Sequence, residues 1–129
     1  MWITPRPDDI FIAVDLQYDF LPGGSLAVAG GDEIIAPINE LAQKFRHVVM
    51  TQDWHPQGHI SFATNHKDAK PFQVIGLPYG PQVLWPDHCV WNTRGAQFSR
   101  EVDIPHCEMV IRKGYNEVVD SYSGFQEAD

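Results

Sequence analysis

Five side chains spread along the chain have the types needed for metal binding and proton transfer: Asp15, Asp53, His55, His88 and Lys113. Asp53 and His55 are two residues apart, so on an extended backbone both point the same way. They can then grip one cation with a carboxylate oxygen and an imidazole nitrogen. His88, in the run Trp85-Pro86-Asp87-His88-Cys89-Val90, is the chosen third ligand. Two histidines and one carboxylate with open positions suit a divalent metal such as zinc, iron or manganese. His59 and Ser61 lie close enough in sequence to add a ligand or an outer contact. Pro56 and Gly58 argue against a helical face shared by His55 and His59. Alone, an Asp-x-His pair more often describes a turn aspartate beside a surface histidine. Asp15 alone reads as a turn cap and Lys113 as a solvated charge. Together, a carboxylate beside a lysine in a cleft forms a proton-handling pair. Phe20, Trp85 and Tyr115 are aromatic neighbours of these positions, suited to a flat aromatic ligand wherever they line the crevice and to core packing elsewhere.

Positioning these groups requires strands that end at one place. Three short apolar runs, residues 10–14, 48–50 and 109–111, read as buried strands. Between the first two, Ile34, Ile35, Ile38, Leu41, Ala42 and Phe45 form a single apolar stripe at helical spacing. Asp32 offers an N-cap, and Lys44, Arg46 and His47 sit where the helix dipole favours cations. Pro37 implies that regular hydrogen bonding starts late. Strand, helix and strand form a right-handed βαβ unit, hence an α/β fold with a parallel sheet. Asp15, Asp53 with His55, and Lys113 follow the three strands, and the carboxyl ends of parallel strands share one ligand-binding edge. From residue 54 to 106 periodicity fades, and six of the ten prolines and three of the four tryptophans gather there. So long an excursion is usually functional. Short helical pieces are expected inside it, near residues 95–98.

At 129 residues the chain is expected to form a single domain over residues 1–129. Its apolar fraction of 43% is ordinary for a globular protein. The net charge is −8 with only nine Lys and Arg and no basic cluster, which argues against nucleic acid as a partner. No apolar run reaches the roughly 18–20 residues of a membrane span, and no signal-peptide pattern opens the chain. The expectation is a cytoplasmic protein without membrane contact. Cys89 and Cys107 are too few for a disulfide framework.

Five ordered motifs carry a family resemblance. Val14-Asp15-Leu16-Gln17-Tyr18-Asp19-Phe20 resembles the opening motif of the isochorismatase-like cysteine hydrolases. Thr51-Gln52-Asp53-Trp54-His55-Pro56 and the run from Trp85 to Val90 resemble the metal-site motifs of that family's nicotinamidase (pyrazinamidase) branch. Arg112-Lys113-Gly114 and Asp120-Ser121-Tyr122-Ser123-Gly124-Phe125 resemble the segment around its catalytic lysine. The resemblance implies a three-layer α/β/α fold with a parallel sheet, the C-terminal strands and helices missing from this chain. It implies hydrolysis of nicotinamide, or a pyrazinamide-like amide, to the acid and ammonia through a cysteine thioester, serving NAD salvage without a redox cofactor. Asp15 then matches the catalytic aspartate and Lys113 the triad lysine. Asp53, His55 and His88 match the ligands of a divalent metal, with zinc expected first, and Phe20 and Trp85 match residues flanking the substrate ring. The matching nucleophilic cysteine would follow a fourth strand, beyond Asp129. Cys107 does not substitute, since six extended residues put it roughly 20 Å from Lys113. Cys89 reads as a buried structural thiol pointing away from the metal. Three strands with one helix should leave sheet surface exposed, so marginal stability or association into a homo-oligomer is expected. Two other readings are a related small-amide hydrolase of the same fold and a non-catalytic module that binds metal or rings.

Overall fold

A computed structural model describes residues 4–128. Three parallel strands, β1 (Ile10–Val14), β2 (His47–Asp53) and β5 (Cys107–Lys113), form a sheet in the order β1-β2-β5. A separate antiparallel hairpin joins β3 (Val74–Leu77) to β4 (Gly80–Val83). The β1–β2 register runs from Ile10 opposite His47 to Val14 opposite Thr51, and the β2–β5 ladder ends with Asp53 opposite Lys113.

The three expected strands are present, and two are longer than their apolar runs. β2 continues through Thr51, Gln52 and Asp53 because these polar side chains find partners at the strand end. Gln52 Nε2 donates to the Ala96 carbonyl at 2.9 Å and its Oε1 accepts from Arg112 Nε at 3.1 Å. The helix α1 is shorter than its stripe, spanning Ile35–Ala42 after a 3₁₀ turn at Gly31–Ile34. Asp32 therefore sits inside that turn rather than at an N-cap, and Ile34, at the cap position, makes no side-chain capping bond. Pro37 falls in the first turn of α1, where its missing N–H leaves no intrahelical bond unmade. Between 95 and 98 the chain makes a turn held by a Gln17–Phe98 bridge, not a helix. The short helical piece of the excursion lies at Ala63–Asn65.

Helix α1 packs on one face of the sheet. Ala13, Leu16, Ala42, Val48, Met50 and Ile104 form the buried cluster, flanked by Phe11, Ile38 and Phe45. Strand alternation sends the intervening residues to the other face, where Ile10, Ile12, Val14 and Met109 are all exposed. The open sheet face expected of three strands and one helix is thus observed among the described residues. No helix among them is long and apolar enough to cross a membrane.

Candidate metal centre and catalytic cleft

Asp15 directly follows β1, Asp53 and Lys113 end β2 and β5 at the same edge, and the ladder brings the last two side by side. Lys113 Nζ lies 2.7 Å from Asp15 Oδ2 and 2.5 Å from Asp53 Oδ1. The lysine is 6% exposed. Burial alone would favour its neutral form, but the carboxylates of Asp53 and Asp15 outweigh that and raise its pKa. Lys113 is therefore an ammonium clamped between two anions. Asp15 adopts a left-handed backbone with φ of 53°, a conformation in which Asp is over-represented. Thr51, paired with Val14 across the ladder, donates its hydroxyl to Asp15 Oδ1 at 2.6 Å. Both oxygens of Asp15 are thus held.

The second oxygen of Asp53 faces the histidines, with Oδ2 3.3 Å from His55 Nε2 and 3.5 Å from His88 Nε2. Each ring is oriented from behind by a main-chain carbonyl. His55 Nδ1 donates to the Gly114 carbonyl at 2.7 Å, and His88 Nδ1 to the Pro86 carbonyl at 2.8 Å. A carbonyl only accepts, so Nδ1 carries the proton and Nε2 presents its lone pair. Three buried lone-pair atoms then converge within 4.8 Å of one another. Such a convergence calls for a positive charge between them, and two imidazoles with one carboxylate fit a divalent metal. Carbonyl acceptors behind the rings are the usual second partners of metal-binding histidines. Burial opposes ionisation of Asp53, yet in the metal-free site Nε2–H donors from His55 and His88, with the Lys113 ammonium, hold its carboxyl well below the usual carboxylate range.

His59 belongs to a second cluster with His55 and Asp120. Both of its nitrogens already have partners: Nε2 donates to the Val119 carbonyl at 3.2 Å, and Nδ1 meets Ser61 Oγ at 2.7 Å. Its ring centroid lies 4.2 Å from that of His55. In the metal-free site burial, then the neighbouring His55, depresses its pKa to about 4, so it packs as a neutral ring. In this geometry His59 buttresses His55.

Asp15, Asp53, His55, His88 and Lys113, but not His59, line a cavity of 210 Å³ together with Phe20, Trp85, Asp120, Ser121 and Tyr122. Phe20 and Trp85 thus reach the crevice, and Tyr115 does not. Gly114, with φ of 69°, breaks the strand alternation after Lys113. Tyr115 is sent outward, 60% exposed, to a neighbouring hollow shared with Ser123 and Phe125. The aromatic wall instead includes Tyr122, whose ring meets Trp85 edge-on with centroids 6.4 Å apart. Sequence reasoning also passed over Gln17. Its buried amide donates to the carbonyls of Asp53 and Ala96, each at 2.8 Å, and accepts from Asp53 N at 2.7 Å. It fixes the backbone of the aspartate that faces the two histidines, from the side where no strand pairs. A fully apolar strand followed by a lone Gln was the available signal.

Neither cysteine resembles a nucleophile. Cys107 begins β5 at the opposite end from Lys113. Cys89 is fully buried with φ of 47°, so its backbone is left-handed where extended chain was expected. The turn is held by its N–H, which donates to Asp19 Oδ2 at 2.7 Å. Burial, with the nearby carboxylates of Asp53, Asp19 and Asp15, pushes the thiol far above its ordinary pKa, so it stays protonated.

Comparison with known proteins agrees with the motifs. No family model matches the chain. It is 56% identical to a nicotinamidase of Acinetobacter baylyi over 118 residues, covering 92% of this chain and 55% of that protein. Among solved structures, an Acinetobacter baumanii nicotinamidase/pyrazinamidase superposes with a TM-score of 0.94 at 51% identity, over 95% of this chain and 59% of that one. A pyrazinamidase of Pyrococcus horikoshii, solved in complex with zinc, superposes at 0.73 with 41% identity, over 93% and 59% of the two chains. An isochorismatase-like hydrolase from Alkaliphilus metalliredigens, only 21% identical, shares the fold at 0.58 over 91% and 54%. The chain spans a little over half the length of these relatives. Over nearly all of its own length, the chain is a homologue of the nicotinamidases built on the isochorismatase-like α/β fold.

Proposed function

We propose that this chain supplies the acid, the amine and the metal site of a nicotinamidase, an amidase that hydrolyses nicotinamide to nicotinate and ammonia. One observation carries the reading: Lys113 bridges Asp15 and Asp53, while His55 and His88 address the other oxygen of Asp53, all at the rim of one aromatic-walled cavity. Asp53, His55 and His88 would hold zinc. Bound there, the metal supplies a Lewis acid able to take a ring nitrogen or a water.

The chain's own residues do the rest. Phe20, Trp85 and Tyr122 present flat apolar surface to a pyridine ring. Asp15 Oδ2 is placed to receive the proton of an attacking thiol and to return it to the departing amine. The Lys113 ammonium neutralises the anion formed beside it. The thiol adds to the amide carbon, the C–N bond breaks and ammonia leaves with the proton. Water then cleaves the thioester to the carboxylic acid and frees the thiol. Cys89 and Cys107 do not suit that attack, so this reading needs a thiol that neither of them supplies. The same reading places the product in NAD salvage and the enzyme in the cytoplasm.

Ammonia release from nicotinamide by the zinc-loaded product of the complete coding sequence tests the proposal. Asp15→Asn should abolish turnover while metal content stays at one per chain. Retained turnover in that variant would refute the role of Asp15. No turnover by the parent protein, with metal bound, would favour a non-catalytic binding module.

A further inference from the structure

The β3–β4 hairpin takes no part in the chemistry above, yet it sends one buried side chain to the cavity wall. Gln82, on β4, is 2% exposed. Its Nε2 lies 2.7 Å from the Val83 carbonyl, 2.9 Å from Asp120 Oδ2 and 3.3 Å from Tyr122 Oη. Its Oε1 accepts from the Tyr79 hydroxyl at 2.9 Å. The amide has only one workable orientation, because a carbonyl and a carboxylate both require donors and only the NH₂ end can supply two. Asp120 is itself 2% exposed, and its other oxygen accepts from Ser121 N at 2.9 Å. Gln82 is thus the side-chain donor that satisfies a buried carboxylate at the start of the Asp120–Ser121–Tyr122 wall.

The main chain of Trp85, the partner of Tyr122 across the wall, is anchored separately. Its N–H donates to the Ser61 carbonyl at 2.8 Å, and its carbonyl accepts from Ala63 N at 2.9 Å. Loss of Gln82 would therefore shift Tyr122 while the Trp85 backbone stays in place. The carbonyls that orient His55 and His88 belong to Gly114 and Pro86, which Gln82 does not touch.

We infer that Gln82 is a positioning residue through which the β3–β4 hairpin sets Tyr122 against Trp85, and with it the affinity for a planar pyridine ring bearing a carboxamide or carboxylate. The inference rests on the nicotinamidase reading of the cavity. Removing the donor takes the Gln82 bond from the buried Asp120 Oδ2, beside the Tyr122 hydroxyl, and the carboxylate must turn or draw in water to recover it. Either response shifts the residues beside it.

The test is calorimetric titration of the zinc-loaded product of the complete coding sequence with nicotinate, paired with zinc titration of the same samples. Gln82→Met should weaken nicotinate binding about tenfold, the equivalent of one hydrogen bond to a charged group, with zinc affinity unchanged. Tyr79→Phe, which deletes the hydroxyl that donates to the amide and also meets the Asp120 main chain, should weaken it about threefold and decides the matter should Gln82→Met fail to fold. A loss shared equally by nicotinate and zinc would indicate a general structural role and overturn the inference. So would wild-type affinity in variants of a parent that binds nicotinate. A parent that binds zinc but no nicotinate would remove the ring-site reading itself, and this inference with it.

Discussion

Replacing Gly114 by alanine separates the metal site from the rest of the fold. Gly114 follows the last residue of β5 and has φ of 69°. An alanine there incurs about 1–2 kcal/mol for the left-handed backbone. A Cβ at this position would also overlap Cε1 and Nδ1 of His55. Neither neighbour can give easily, because the His55 ring is wedged against His59 and Phe62 and its Nδ1 is bonded to the Gly114 carbonyl. Ring and turn must part, and the hydrogen bond between them, worth about 1 kcal/mol net, is lost. The expected destabilisation is about 2–3 kcal/mol. The ring then no longer aims Nε2 at Asp53, and disturbed outer partners of metal-binding histidines typically lower affinity by about 10–100-fold. Urea denaturation reads the first number and zinc competition against a chromophoric chelator the second. Gly80→Ala is the control: Gly80 has φ of 125° with open space around it, so a methyl there adds backbone strain in the hairpin alone. It should reduce stability and leave zinc affinity untouched. Wild-type zinc affinity in Gly114→Ala would refute the coupling of this turn to His55.

Two further outcomes follow from the buried charges. Lys113→Met removes the ammonium from between Asp15 and Asp53 and leaves two anions facing each other, so urea denaturation should show a loss of about 3–5 kcal/mol; a loss within experimental error would contradict the bridging geometry. His59 titrates at about 4 in the fold against 6.5 ordinarily. Between those values the unfolded chain binds a proton that the folded chain refuses, so stability of the metal-free protein should fall as pH drops from 6.5 towards 4. His59→Gln should flatten that stretch of the profile, and an unchanged slope would show that His59 is not its source.

The cleft was legible where chain geometry is simple. Apolar runs of one type, each followed by a charged residue, implied parallel strands ending at a shared edge, and Asp15, Asp53 and Lys113 do meet there. The spacing of Asp53 and His55 gave a common direction because β2 stays extended to its last residue. Legibility failed where the backbone leaves regular conformations. Gly114 turns left-handed, so Tyr115 departs from the cleft and Tyr122, seven residues later, enters it. The β3–β4 hairpin was invisible because Gly76, Pro78, Gly80 and Pro81 interrupt any alternation. Gln17 and Gln82 were missed for a shared reason: an uncharged amide carries no sign of its burial until its partners are known.

Whether one divalent ion sits among Asp53, His55 and His88 is decided most directly by anomalous diffraction at the zinc edge from crystals of the zinc-loaded chain. The expected result is a single peak about 2.0–2.2 Å from Asp53 Oδ2 and from Nε2 of both histidines. A peak placed instead between His59 and Asp120, or none near Asp53, would contradict the assignment.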